Sequence, residues 1–286
     1  MAGRNKRMKN APRKMSDLFG HPSIPAKPRT VHQTWLKDVG FDEAPWYLER
    51  MGLTELEDFL DVAGSNLDYV KIVTTQVLNH PKEWLKRKIK LYHSFGIEPY
   101  LDHGYFKLAF KHGVVEDAII AGADLGFRVI EFMNTFGDVS EKQWKNWRQL
   151  ALDHGMKIIY EHHPESGWRN NAKNTPVSAE DIIKGASPFL EHGAFKIMLD
   201  HEEFEIQGRA SEERFSKLID QVGLENIVFE VTSPKESPLQ WFDDVTAYFE
   251  LFGADCNVSN IMPSQAMYIE PLRRGERPGP LIENKY

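Results

Sequence analysis

Four histidines stand beside an acid at the ends of apolar runs, and that placement is the first sign of chemistry in this chain. They are His103 in Leu101-Asp102-His103, His162 and His163 in Tyr160-Glu161-His162-His163, and His201 in Leu199-Asp200-His201. Imidazoles and carboxylates converging from separate strands can hold a divalent metal. Asp102, His103, Glu161, His163, Asp200 and His201 are therefore candidate metal ligands, with Zn²⁺ or Mn²⁺ suited to the imidazoles. The competing reading is that these Asp and His residues cap the helices that follow. No H-E-x-x-H or C-x-x-C occurs, so position rather than a motif carries the signal.

Glu131, Glu161, Asp200 and Glu230 are acids at the ends of apolar runs, and Lys71 is a cation within one, Val70-Lys71-Ile72. A buried charge without a partner is expensive, so such groups must be paired, solvated in a cleft or bound to metal. Lys71 can neutralise a developing carboxylate or enolate, or simply pair with Glu131. Three other histidines read as structural. His112, His154 and His192 each precede a glycine that can end a helix, where a cation complements the helix dipole. Near the end of the chain, Asn257-Val258-Ser259-Asn260-Ile261 leads into Pro263–Arg274. A helix N-terminus after a late strand is a ready phosphate cradle. Asn257, Asn260, Arg273 and Arg274 are accordingly candidates for substrate or phosphate binding, with Lys37 and Asn134 at earlier strand ends; a solvated, helix-ending charge run is the alternative for the arginines.

The elements that must position these groups recur about every 30 residues. Apolar runs at Leu67–Val73, Ile97–Leu101, Phe127–Phe132, Lys157–Tyr160, Phe195–Leu199, Ile227–Val231 and Cys256–Ile261 are separated by helix-like segments, and Thr30–Lys37 supplies a first strand. Strand and helix alternating at this spacing make parallel pairs. Helices are expected at Ala44–Ala63, Pro81–Phe95, Glu116–Leu125, Ser140–His154, Ser178–His192, Ser211–Val222, Leu239–Phe252 and Pro263–Arg274. Eight of each predict a single (β/α)₈ barrel over residues 30–277, between a flexible basic tail at 1–29 and a short tail at 278–286. An open doubly wound sheet is the rival, but no G-x-G-x-x-G is present.

Composition narrows the partners. The chain has 286 residues and a net charge of −7, yet its first 15 residues carry Arg4, Lys6, Arg7, Lys9, Arg13 and Lys14 and no acid. The body is therefore strongly acidic, which argues against nucleic acid as the main partner. No long apolar run points to a membrane, and no apolar leader to secretion. The single cysteine, Cys256, rules out an internal disulfide. The expectation is a cytoplasmic, homo-oligomeric protein acting on a small anion.

Several stretches together resemble the phosphosulfolactate synthases, barrel enzymes of coenzyme M biosynthesis, and the plant heat-stress-associated proteins related to them. They are Leu56-Glu57-Asp58 through Asp68-Tyr69-Val70-Lys71, Leu125-Gly126-Phe127 to Ile130-Glu131, Val222-Gly223-Leu224-Glu225-Asn226-Ile227-Val228-Phe229-Glu230, Gln240-Trp241-Phe242, Asn257–Ile261 and Glu270-Pro271-Leu272-Arg273-Arg274-Gly275. The resemblance covers residues 30–277 and implies Mg²⁺-dependent addition of sulfite to phosphoenolpyruvate. It also implies catalytic roles for Lys71, Glu131, Glu161 and Glu230, which stand where family members have the same residue types. The chain departs from the family at strand ends. The family's Asp-Lys-Gly reads Lys37-Asp38-Val39-Gly40 here, and its Gly-rich ends read Ile72-Val73-Thr74-Thr75 and Leu101-Asp102-His103. Its Glu-Gly-Arg-Glu reads Asp200-His201-Glu202-Glu203, so an anion-binding arginine has become an acid. These changes suit a metal better than two anions. Three functions follow: a lyase of the family type, a His/carboxylate metal enzyme on another substrate, and a non-catalytic stress-related binding protein.

Overall fold

The computed structural model describes residues 23–41, 49–133, 139–162, 178–199, 210–231 and 238–276. Eight parallel strands close in sequence order into a barrel. They are β1 (Thr34–Asp38), β2 (Tyr69–Ile72), β3 (Glu98–Leu101), β4 (Val129–Met133), β5 (Lys157–His162), β6 (Ala194–Leu199), β7 (Ile227–Glu230) and β8 (Val258–Ile261). The helices α1 (Leu53–Ala63), α2 (Thr74–Asn79), α3 (Lys82–Ser94), α4 (His103–Lys111), α5 (Val115–Leu125), α6 (Glu141–Asp153), α7 (Ala179–Glu191), α8 (Ala210–Val222), α9 (Pro238–Phe252) and α10 (Ile269–Arg273) lie between them. The (β/α)₈ barrel expected from the 30-residue beat is the fold.

Local sequence explains the helices. Leu56, Leu60 and Ala63 recur at helical spacing and are the buried face of α1. The Ser140 hydroxyl accepts from Gln143 N at 3.3 Å and Ser178 from Asp181 N at 3.1 Å, so both serines cap as their spacing predicts. Gly126 at φ +106° ends α5 in a conformation that a side chain would strain. Two helices were not expected. α2 and α4 start directly at the ends of β2 and β3, outside the eight helices expected. The helix expected over Pro263–Arg274 is instead a 3₁₀ turn at Pro263–Gln265 followed by the short α10.

Two apolar layers hold the barrel. The larger lies between sheet and helices and includes Leu36, Val70, Ile72, Ile130, Ile197 and Phe229. The inner one is a floor of one residue from each of seven strands: Trp35, Tyr69, Tyr100, Val129, Ile159, Met198 and Val228. The N-terminal end is tied shut by the segment ahead of β1. Arg29 donates to both Asp68 oxygens at 2.8 Å, and Lys27 Nζ donates to Gly64 O at 2.7 Å. Residues 27–29, expected in a flexible tail, are thus fastened beneath the barrel, and β1 begins at Thr34 rather than Thr30.

Candidate active site

Side chains alternate along a strand, so the residue two beyond each floor position points the same way, one layer nearer the C-terminal mouth. In the described strands this rule yields Lys37, Lys71, Glu131, Glu161 and Glu230. Lys71 is registered with Lys37 on β1 and Tyr100 on β3, and Met133 on β4 with Glu161 on β5. All but Lys37, which is half-buried, are closed off from solvent.

Lys71 is the hub. Its Nζ lies 2.5 Å from Glu230 Oε1 and 3.8 Å from Glu131 Oε2, so Glu230 rather than Glu131 is its near partner. Burial alone would lower the lysine pKa. The Glu131 and Glu230 carboxylates more than offset that and hold it well above its usual value, so Lys71 stays cationic. Burial raises the Glu230 pKa, and Glu161 and Glu131 add to the rise against the opposing pull of Lys71.

His103 joins from the first turn of α4. Its backbone N–H donates to Glu131 Oε2 at 2.9 Å, and its ring Nδ1 contacts Glu161 Oε2 and lies 3.5 Å from Glu131 Oε2. Burial would lower the imidazole pKa, but Glu161 and Glu131 raise it well above its ordinary value. One ligand atom from each of His103, Glu131 and Glu161 falls within 4.8 Å of the others, the spacing of a metal site. Glu131 Oε1 is buried and has no hydrogen-bond partner among the described residues. With three carboxylates around one lysine and a buried oxygen to spare, the donor set fits a divalent cation.

The other expected residues divide. Asp102 caps α4, accepting from Tyr105 N and Thr74 N at 3.1 Å and from the Thr74 hydroxyl. It is not part of the His103 group, and the role its bonds show is the capping alternative. Asn134, His163, Asp200 and His201 lie outside the described residues. Asn260 reaches the mouth by an irregularity. Between the pairs Thr34–Val258 and Leu36–Ile261, β8 has one residue more than β1, and Asn260 sits in this bulge at φ +60° with a buried, unpartnered Oδ1.

Asn257, Arg273 and Arg274 are at the wrong end. Asn257 precedes β8; its side chain donates to Ile227 O at 2.9 Å and accepts from Gln33 N at 3.0 Å. Arg273 donates to Ala254 O, Cys256 O and Gln33 O, all ahead of strands, and Arg274 pairs with Glu276. These groups stitch the N-terminal face and do not line the mouth. The turn after β8 is also engaged: Ser264 N and Oγ are held by Glu49 at 2.9 and 2.5 Å. The structural reading of His192 stands, its Nδ1 donating to Pro188 O at 2.7 Å. Tyr100 escaped notice, although it lies two residues before Asp102 and in register with Lys71.

The family model of (2R)-phospho-3-sulfolactate synthase (ComA) matches residues 22–278. The chain belongs to this family. Among the phosphosulfolactate synthases, that of Methanothermobacter thermautotrophicus is 24% identical over 267 residues, covering 91% of this chain and 95% of that one. That of Methanocaldococcus jannaschii is 27% identical over 231 residues, covering 78% and 86%. Membership in this carbon–sulfur lyase family makes the chain an enzyme of lyase type. Solved structures show the same barrel. KGPDC from Streptococcus mutans matches with a TM-score of 0.52 at 13% identity, over 86% of this chain and 98% of that one. The carboxyl transferase domain of Rhizobium etli pyruvate carboxylase matches with 0.53 at 14% identity, over 81% and 40%. Among the described residues no helix is long and apolar enough to cross a membrane.

Proposed function

We propose that this enzyme adds a nucleophile, sulfite in the family reaction, across the double bond of phosphoenolpyruvate or a related small unsaturated acid. The observation that carries the reading is Lys71, a buried cation held between Glu230 and Glu131 at the mouth. Attack at the methylene carbon drives negative charge onto the adjacent carbon and its carboxylate. A fixed ammonium at that point stabilises the developing charge without reorganising during the reaction. Glu230 holds the ammonium in place, and the adjacent carbon then takes a proton from a general acid. Asn260 and Lys37, at the rim of the same mouth, are proposed to bind the substrate's other polar groups.

His103, Glu131 and Glu161 would hold the divalent cation, which would bind the substrate carboxylate and share its charge. Mg²⁺ is the family expectation, while an imidazole donor favours Mn²⁺ or Zn²⁺. The test is to incubate purified protein with phosphoenolpyruvate, sulfite and each metal in turn, and to follow a sulfonated, phosphate-bearing product by phosphorus NMR. Metal-dependent product that disappears in Lys71→Met supports the reading. Metal-replete protein that forms none overturns the sulfite reaction.

The His103 group favours a second reading, a metal enzyme acting on a different small acid. Elemental analysis of untagged protein then finds Mn, Fe, Co or Zn, and His103→Ala loses it. Protein free of all four sinks this alternative.

A further inference from the structure

The floor of the barrel carries two phenols, Tyr69 and Tyr100, besides the Trp35 indole, which donates to Gln33 Oε1 at 3.1 Å. Burial raises the Tyr69 pKa, and Asp68 and Glu98, which precede β2 and open β3, add to the rise. Tyr100 is in register with Lys71; burial raises its pKa, Lys71 opposes the rise, and Glu131, Glu230 and Glu161 add to it. The Lys71 ammonium lies 5.8 Å from the Tyr100 ring centroid, and the Trp35 ring braces Tyr100 edge-on at 5.5 Å.

The Tyr100 side chain is wholly buried, and its hydroxyl has no hydrogen-bond partner among the described residues. A buried, unpaired hydroxyl opposes folding, whereas phenylalanine would fill the same volume without that penalty. The position therefore has a stability reason to be phenylalanine and is not. Around it, among the described residues, Glu131, Glu161 and Glu230 crowd Lys71, so a further cation would be absorbed by them. A neutral O–H is the donor that can serve a bound anion there without being claimed as an ion-pair partner.

We propose that Tyr100 is a substrate-binding residue whose hydroxyl donates to an oxygen of a small carboxylate seated against Lys71. This deepens the proposed function and rests on it for the choice of ligand. The phenol pins the acid group from below while Lys71 supplies the charge, which selects carboxylates over amines and neutral carbonyls.

The test compares full-length wild type, Tyr100→Phe and the control Tyr69→Phe with Mg²⁺ present. Calorimetry measures binding of phosphoenolpyruvate, pyruvate and oxalate, and thermal unfolding measures the protein alone. Tyr100→Phe is expected to melt at the same temperature or higher and to bind phosphoenolpyruvate about 10- to 100-fold more weakly, the usual effect of losing a hydrogen bond to a charged group. Tyr69→Phe keeps its affinity. If wild type binds phosphoenolpyruvate and Tyr100→Phe binds it equally well, the role of Tyr100 is overturned and the proposed substrate stands. If wild type binds pyruvate or oxalate but not phosphoenolpyruvate, and Tyr100→Phe binds them more weakly, the role stands and the proposed substrate falls. Tyr100→Phe melting several degrees lower would show a structural hydroxyl and overturn the role. So would wild type that binds none of the three acids.

Discussion

The two ends of this barrel bury charge in opposite styles. At the N-terminal face, Asp68 takes two bonds from Arg29 and one from Thr34 N, while Arg273 and Asn257 are spread over backbone carbonyls. At the C-terminal mouth, Glu131, Glu161 and Glu230 crowd Lys71 and His103, and Glu131 Oε1, Tyr100 Oη and Asn260 Oδ1 lack hydrogen-bond partners among the described residues. Arg29 Nη1, Glu270 Oε1 and Arg273 Nε at the N-terminal face also lack hydrogen-bond partners among the described residues, so the difference is one of charge balance. A buried charge with its partners in place stabilises; one that is over-supplied with like charge and short of donors is arranged for something that arrives.

The sharpest way to break the contrast is Asp68→Ala, which strands Arg29 at the N-terminal end. Removing one partner of a buried ion pair costs about 3–5 kcal/mol, and at this chain length the melting temperature should fall by about 10 °C. Turnover per folded molecule, measured well below the transition, should be unchanged. A lost turnover with an unchanged melting curve would reverse the assignment of the two ends.

Glu131→Gln is the converse change. It removes one of three crowded carboxylates while keeping an oxygen for His103 N. Turnover should drop by about 100-fold, and Mn²⁺ affinity should weaken. The melting temperature should hold or rise; a clear fall would place Glu131 among the structural charges.

Asp102 sits at the boundary. Asp102→Ala removes the cap of α4 and the tie to Thr74, costing about 1–2 kcal/mol in denaturant unfolding. Retained Mn²⁺ binding would confirm it as a cap, and loss of the ion in a folded variant would return it to the site.

The smallest effect belongs to His93. It donates through Nδ1 to Glu98 at 2.9 Å and through Nε2 to Gly126 O at 3.1 Å, which requires the protonated ring. Its pKa is raised, chiefly by the Glu98 bond, and that of Glu98 is lowered, chiefly by His93. The histidine's contribution is complete below its unfolded pKa near 6.5 and fades as pH rises through the raised folded value; the glutamate's is complete above about 4.5 and fades in acid. The pair thus stabilises most between those limits, by about 1 kcal/mol or less for a partly exposed pair. Melting curves from pH 5.5 to 8.5 should slope downward in wild type and less steeply in His93→Gln.

Much of this was readable beforehand, and the failures have physical causes. The strands announced themselves because parallel strands covered on both faces read as apolar runs, and a lone Lys71 or Glu131 in such a run must find a partner or a task. What one strand cannot reveal is which polar groups its neighbours complete. Asp102 and Glu161 look alike in sequence, yet α4 begins at His103 directly after one, while β5 runs on through His162 after the other. Asn257 was misjudged although chain direction excluded it, since a residue ahead of a parallel strand belongs to the opposite face. Tyr100 was hidden because an aromatic in a strand reads as core, and only register shows its hydroxyl level with the charges.

The stitching beneath the barrel also sets an order in time. Gln33 N bonds to Asn257 and Gln33 O to Arg273, joining residues 224 and 240 apart in the chain. Such closures carry a large loop-entropy cost and reward the chain only once both ends are present. During synthesis β1 must wait, unpaired on one side, until β8 has emerged. The seam between β1 and β8 is therefore where a nascent or heat-opened molecule exposes a bare strand edge, and where a holding chaperone or a second unfolded copy would first take hold.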